Sequence, residues 1–311
     1  MSGAPYFSGI IPDGPAAECV WTRTDDGVRL RLGLWRAEES TGTLLLFPGR
    51  TEYIEKYAPT AGDMARHGLT TLAIDWRGQG LSDRLLSDPL PGHVDRFPDY
   101  QRDVAAMVSH ATALDLPKPW FVLGHSMGGC IALRAVMEGL PVSAASFSGP
   151  MWGIAASPVM RPFMWALSFG SRLLGLSHRY PPTSTGPVPY PLSEPLETNT
   201  LTRDAAQYQL MRDQFNARPE LKLGAPSLNW LYEALVDMRH LFRQPSPELP
   251  CLTIMGSDEA IVDQSRIQDR MARWPGGALH VEPGGRHELL MEDAATRMRM
   301  TDMLAGHFLA T

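Results

Sequence analysis

Gly124-His125-Ser126-Met127-Gly128 closes the apolar run PWFVLGH (119–125) and opens a helix-like stretch that reaches about residue 139. A chain with 28 glycines produces Gly-x-Ser-x-Gly by chance, so the spacing alone says little. Its context says more. Trp120, Phe121, Val122 and Leu123 supply a strand, residues 127–138 supply a helix, and Ser126 falls at the sharp turn between them. Glycines at 124 and 128 relieve clashes there, and the hydroxyl stands out above the sheet. The first N–H groups of the helix are unpaired and face whatever becomes negative, as a tetrahedral acyl intermediate does. A serine that merely caps the helix would occupy the same place. The strand before it favours a nucleophile.

A nucleophilic serine needs a base, and the chain has nine histidines. His125 adjoins Ser126 on the strained turn, so its ring should diverge from the hydroxyl. His280 lies within a strand. His67, His110 and His240 sit in helical stretches and read as surface side chains, while His93, His178 and His307 have no informative context. His287, in EPGGRHELLMED (282–293), follows the last strand in a glycine-rich loop and opens a C-terminal helix. Loops at the carboxyl ends of parallel strands are where an α/β sheet presents its chemistry.

The elements that must hold these residues alternate along the chain. AECVWTRTDDGVRLRLGLWRA (17–37) alternates polar and apolar residues around Asp26-Gly27, which predicts an antiparallel hairpin. TLLLFPG (43–49), TTLAID (70–75), PWFVLGH (119–125), SAASFSG (143–149), CLTIMGS (251–257) and ALHVEPG (278–284) read as buried parallel strands. Helical patterns at about 52–67, 99–115 and 126–139 separate the first four. The order argues for an open α/β sheet with helices on both faces.

From 150 to 249 the rhythm breaks: no strand pattern, a proline-rich stretch RYPPTSTGPVPYPLSEP (179–195), and helical stretches near 202–217 and 228–242. So long a connection should be a helical insertion. Composition narrows the function classes. A formal charge of −6 without a dense basic block excludes a phosphate-tracking surface, and nucleic acid is not expected as a partner. The N-terminus lacks a basic and apolar leader, and no run is long enough to span a bilayer. Cys19, Cys130 and Cys251 share no metal-ligand spacing and read as reduced, buried thiols. A cytoplasmic protein is expected, and a place at the inner face of the membrane is compatible with the sequence.

GHSMGG (124–129), GSDEAIVD (256–263) and GGRHELLME (284–292) follow in the order serine, acid, histidine, preceded by PGRTEYIEKY (48–57) and DWRGQGLSDR (75–84). Together they resemble the α/β-hydrolase superfamily and, within it, the bacterial lysophospholipase and monoacylglycerol lipase branch, over nearly the whole chain outside 150–249. The resemblance implies an α/β-hydrolase fold: a mostly parallel central sheet with helices on both faces. Residues 1–149 would form the first part of the core, 150–249 an inserted helical cap and 250–311 the second part. It implies a serine carboxylic-ester hydrolase acting on single-chain lipid esters, lysophospholipid or monoacylglycerol, through an acyl-enzyme. A serine aminopeptidase or small-ester esterase of the same fold is the enzymatic alternative, and a hydrolase-fold ligand receptor the non-enzymatic one.

Under that resemblance Ser126 is the nucleophile and His287 the base. The N–H groups of Arg50 and Met127 are the oxyanion donors, a task independent of side-chain identity. Arg50 and Glu52 themselves read as solvent-facing loop residues or as a pair shaping the pocket floor. The related acid-x-Val-Val-Asp pattern selects Glu259 as the acid, with Asp258 the alternative one residue away, and Asp263 as the cap of the next helix. Asp75 to Gly80 reads as a turn tying its strand to its neighbours. No metal or organic cofactor is called for. Met151, Trp152, Ile154, Met160, Phe163, Met164, Trp165, Leu167 and Phe169 suit an acyl chain, the insertion's own core, or transient contact with a membrane surface.

Overall fold

Short runs of Leu, Ile, Val, Ala and Phe with little polar relief are what a sheet covered on both faces requires. The computed structural model, which describes residues 2–12, 14–182 and 184–311, gathers them into one 8-stranded sheet. Its strands are β1 (Glu18–Arg23), β2 (Arg29–Trp35), β3 (Gly42–Phe47), β4 (Leu69–Asp75), β5 (Trp120–His125), β6 (Ala144–Ser148), β7 (Cys251–Gly256) and β8 (Ala278–Glu282), in the order β1-β2-β4-β3-β5-β6-β7-β8. The β1–β2 hairpin and the β2–β4 pairing are antiparallel, and the pairings of β3 through β8 are parallel. The carboxyl ends of β3, β5, β6, β7 and β8 therefore open at one edge.

The core helices are α1 (Ala58–Arg66), α2 (Tyr100–Ala113) and α3 (Met127–Met137), all before β6. Between β6 and β7 come α4 (Met160–Leu173), α5 (Tyr190–Ser193), α6 (Ala205–Ala217) and α7 (Leu228–Phe242), with no named strand among the described residues. α8 (Gln264–Ala272) and α9 (Ala294–Leu309) complete the chain. Successive strand residues face opposite ways: Leu45, Phe47 and Val122 pack with Met107 of α2 and Ile131 of α3. Leu44, Leu46 and Phe121 pack with Met64 of α1 and Phe308 of α9.

The 150–249 segment is not packed only on itself. Trp230, Ala234 and Met238 of α7 belong to the first of these cores, and Tyr208 and Met211 of α6 to the second. Burial on both sides is why the segment holds its place without a strand. Asp75 to Gly80 does what its turn reading requires. The indole of Trp76 donates to the Pro48 carbonyl (2.9 Å), Gln79 Nε2 donates to the Gly49 carbonyl (2.8 Å), and Asp75 Oδ1 accepts the Ile54 N–H (2.9 Å).

Three expectations are corrected. β8 is parallel but not buried: as the edge strand it leaves Ala278 and Val281 exposed and Leu279 and His280 half-buried. α9 begins at Ala294 and not at His287, because the Asp293 carboxylate takes the N–H groups of Ala295 and Thr296 and thereby fixes the helix start. His110 is buried on the inner face of α2 and is no surface residue. His67 is half-buried, with Nε2 2.7 Å from Asp302 on α9. Asp263 caps α8 as its position suggests, accepting the Ser265 N–H.

Candidate active site

β5 delivers Ser126 to the open edge of the sheet with φ 51° and ψ −117°. A serine at positive φ stores roughly 1–3 kcal/mol of strain, which the packing around it must hold. The glycines explain how. A Cβ at Gly128 would lie 2.0 Å from the Phe47 carbonyl oxygen, and one at Gly124 would lie 2.7 Å from that of Gly128. Only bare backbone lets α3 approach β3 and β5 this closely. The Ser126 side chain makes no capping bond to α3. That removes the reading of Ser126 as a simple helix cap and leaves the hydroxyl free.

His287 stands in the loop after β8, and its Nδ1 lies 2.6 Å from Oε2 of Glu259, both side chains buried. Oε1 of Glu259 accepts the N–H groups of Ile261 (2.7 Å) and Val262 (3.1 Å), so the carboxylate is held at both oxygens. Burial opposes charge on Glu259, but His287 and these N–H groups outweigh it and keep the carboxyl below its usual range. Burial likewise opposes charge on His287. The Glu259 carboxylate, with Glu288 and Glu52 behind it, outweighs that and holds the imidazole above its ordinary value. With Nδ1–H donated to Glu259, Nε2 is left as the basic nitrogen. Asp258 is exposed and accepts from the Ser257 hydroxyl instead (3.0 Å). The structure thus brings Glu259 to His287 and turns Asp258 away.

Ser126 and His287 line the same cavity of about 300 Å³, together with Arg50, Met151, Ile154, Trp230 and Phe215. Met127 begins α3, and among the described residues neither its N–H nor that of Arg50 is used in a turn, loop or cap bond. Both remain available beside Ser126. Of the nine apolar residues read as an acyl surface, only Met151 and Ile154 line this cavity. Trp152, Met164 and Trp165 line a different one, and Phe163 and Phe169 are exposed. The other walls come from Tyr190, Leu201, Met211 and Phe215, which no local pattern marks.

Arg50 and Glu52 do not pair with each other. Arg50 reaches back to the Gly224 carbonyl (2.8 Å), and burial pulls its guanidinium down to about 10. Glu52 is buried and accepts from Lys56 Nζ (2.7 Å), the Tyr57 hydroxyl and the Gly49 N–H. Burial opposes its charge, but Lys56 and His125 outweigh that and set it at about 2. Lys56 also donates to Glu288 (2.6 Å), next in sequence to His287. The donor atoms of Glu52, His125 and Glu288 lie within 4.8 Å of one another, a spacing a cation would suit. Lys56 already bridges both carboxylates with its ammonium. His125 diverges as expected at Nδ1, which donates to the Ser148 carbonyl (2.9 Å), while its ring centroid lies 4.9 Å from that of His287.

Similar architectures occur among solved structures. A soluble variant of monoglyceride lipase from Saccharomyces cerevisiae superposes with TM-score 0.73 at 20% identity, covering 97% of each chain. A monoacylglycerol lipase from Paleococcus ferrophilus superposes with TM-score 0.68 at 18% identity, covering 89% of this chain and 99% of that one. In sequence, lysophospholipase L2 of Escherichia coli (strain K12) is 31% identical over 299 residues, 90% of this chain and 84% of that protein. The sequence model of the family described as serine aminopeptidase, S33 matches residues 38–294. A match over that span leaves only the two ends outside it, and the chain belongs to the serine aminopeptidase S33 family of α/β-hydrolases.

Proposed function

We propose that this hydrolase cleaves single-chain lipid esters, lysophospholipids or monoacylglycerols, through an acyl-enzyme on Ser126. Ser126 Oγ attacks the ester carbonyl while its proton passes to Nε2 of His287. The oxyanion is received by the N–H groups of Arg50 and Met127, and Glu259 stabilises the imidazolium. His287 then protonates the leaving alcohol, and water releases the acyl group by the same route. The observation that carries this reading is a strained, uncapped serine sharing a cavity with a histidine whose Nδ1 is bound to a buried carboxylate.

The substrate class follows from the walls. Met151, Ile154, Leu201, Met211, Phe215 and Trp230 offer an acyl chain an apolar channel, and about 300 Å³ suits one chain better than three. Residues 150–249, which supply most of these walls, act as the cap. The activities named for the Escherichia coli and Saccharomyces cerevisiae proteins point the same way. The family description raises an aminopeptidase as the second reading. Such an enzyme must hold a substrate ammonium, and the carboxylates lining the cavity, Glu52 and Glu288, are already bound to Lys56. The ester reading therefore fits better.

Exposed Val159, Phe163, Leu173 and Leu174 on and beside α4 support transient contact of the cap with a lipid surface, and co-sedimentation with phosphatidylglycerol vesicles tests it. Among the described residues no helix is long and apolar enough to cross a membrane. Cys19, Cys130 and Cys251 are free and buried, which supports an intracellular setting.

The test uses Ser126→Ala and a substrate panel. The variant should fold normally, lose covalent labelling by a fluorophosphonate, and lose nearly all turnover of lysophosphatidylcholine and monoacylglycerol. Trioleoylglycerol and an aminoacyl-nitroanilide should be poor substrates of the unaltered enzyme. Retained turnover in Ser126→Ala rejects the mechanism, and preference for the anilide rejects the ester assignment.

A further inference from the structure

A second cavity lies beside the one that holds Ser126. A groove of about 410 Å³ lies on the other side of Ile154, which lines both. The wall between them is backbone. Ile154 bridges Val262, the Ala155 N–H donates to the Ile261 carbonyl (3.0 Å), and the Asp263 N–H donates to the Gly153 carbonyl (2.9 Å). A ligand in the groove is thus separated from the serine by a hydrogen-bonded strip of chain.

The groove has an apolar floor and a cationic rim. Trp152, Met164, Trp165, Leu235 and Met238 form the floor. Arg161, Arg239, Arg243 and Arg266 stand around it with a single carboxylate, Asp263. Arg161 is bound to that carboxylate (2.7 Å). Among the described residues the other three guanidiniums have no carboxylate within ion-pair distance. Arg239 lies 5.9 Å from the Trp165 ring centroid, and Arg266 lies 4.0 Å from that of Phe242. An apolar trough edged by unpaired guanidiniums is complementary to one kind of molecule, an alkyl chain ending in an anion.

We propose that this groove binds a single-chain fatty carboxylate at a site distinct from the Ser126 cavity. Arg239 and Arg243 hold the head group, and the chain lies along Trp165 and Met164. The choice of a carboxylate over another anion rests on the ester hydrolysis proposed above, which releases that species. The groove's charge and shape do not depend on it.

The test is titration of laurate into protein whose serine has been blocked by a fluorophosphonate, with dodecyltrimethylammonium and dodecyl phosphate as comparison ligands. Laurate should bind the blocked protein at one equivalent, the ammonium should not, and Arg239→Gln with Arg243→Gln should weaken laurate about tenfold or more, the loss of a charge-assisted contact. Both arginines are exposed, so melting temperature should hold and a folding failure would be visible. Blocking that abolishes laurate binding places the carboxylate in the Ser126 cavity and overturns the proposal. So does binding indifferent to the two arginines, and tight binding of dodecyl phosphate alone overturns the carboxylate assignment. If the protein neither reacts with the probe nor turns over esters, the reading of the active site fails. The same titration of unblocked protein and its arginine variant still decides the groove.

Discussion

The two cavities that meet at Ile154 treat charge in opposite ways. Around Ser126 the buried carboxylates are each bonded to a cation or an imidazole: Glu259 to His287, Glu52 and Glu288 to Lys56. Around the groove three guanidiniums stand with no acid opposite them among the described residues. The difference follows from depth. Desolvating an unpaired charge costs several kcal/mol, so the enclosed site pairs its carboxylates, while Arg50, which has no carboxylate partner there, bonds the Gly224 carbonyl and is held below its usual range by burial. A rim open to water can leave charges for a ligand to match.

Disrupting the enclosed side should cost most. Glu259→Gln keeps the shape but removes the anion behind His287, and kcat should fall by about 10⁴-fold, as when the orienting acid of a serine hydrolase triad becomes an amide. Asp258→Asn, at an exposed side chain, should change kcat only a few-fold. Measuring both on one substrate at one pH decides between the adjacent acids, and the reverse ranking would move the acid to Asp258.

Lys56→Met tests pairing directly. It leaves two buried carboxylates without their cation, and denaturant unfolding should show a loss of about 3–5 kcal/mol at neutral pH. The loss should shrink as pH falls and the carboxylates take up protons. In the unaltered protein the sign is opposite. Glu52 is depressed to about 2, so the stability it contributes is full above the unfolded carboxylate range and is lost as pH drops towards that value.

The third effect is a displaced titration. In the proposed mechanism His287 must be neutral to act as base, and its imidazole is held above its ordinary value, so the acid limb of kcat/KM should lie above about pH 6.5. The same ion pair stabilises the fold below the unfolded imidazole value and loses that contribution as pH rises through the folded one. In Glu259→Gln the limb should move to lower pH with whatever activity remains. A limb that stays in place would mean Glu259 does not set the charge of His287.

The smallest effect belongs to the open side. Arg161 and Asp263 form an ion pair in which Arg161 is half exposed, and Arg161→Gln should shift stability by no more than about 1 kcal/mol. A larger loss would show that the groove is as enclosed as the serine cavity and would remove the contrast.

The sheet was legible because buried parallel strands are short apolar runs, and all eight appear where such runs or the Asp26-Gly27 hairpin lie. Ser126 and His287 were legible because a strand-to-helix turn and a loop after a strand are local features. Glu259 needed the neighbouring Ile261-Val262-Asp263 pattern. The bridge from Lys56 to Glu288 was not legible, since it joins residues 232 apart and exists only once the fold is made. EYIEKY does carry a local hint, with Glu52 and Lys56 four apart and able to face each other. The walls of the serine cavity escaped for a related reason. α4 is rich in apolar residues, but it packs beside α7, with Trp165 against Tyr232, while the walls come from residues scattered over α5, α6, the turn at Leu201 and Trp230 of α7.

The histidine loop is fastened to the 150–249 segment by two main-chain bonds, from the His287 N–H to the Thr200 carbonyl (3.3 Å) and from the Glu288 N–H to the Leu201 carbonyl (2.8 Å), and by the Arg286 guanidinium, which donates to the Thr202 carbonyl (2.9 Å). Main-chain amides read shape and ignore side-chain identity. At these two points the tie to the histidine loop does not depend on which side chains Thr200 and Leu201 carry, whereas the segment's place on the sheet depends on buried side chains such as Trp230 and Tyr208. Leu201 serves two ends at once: its carbonyl anchors the histidine loop while its side chain lines the serine cavity, so replacing that side chain should reshape the wall and leave the anchor in place.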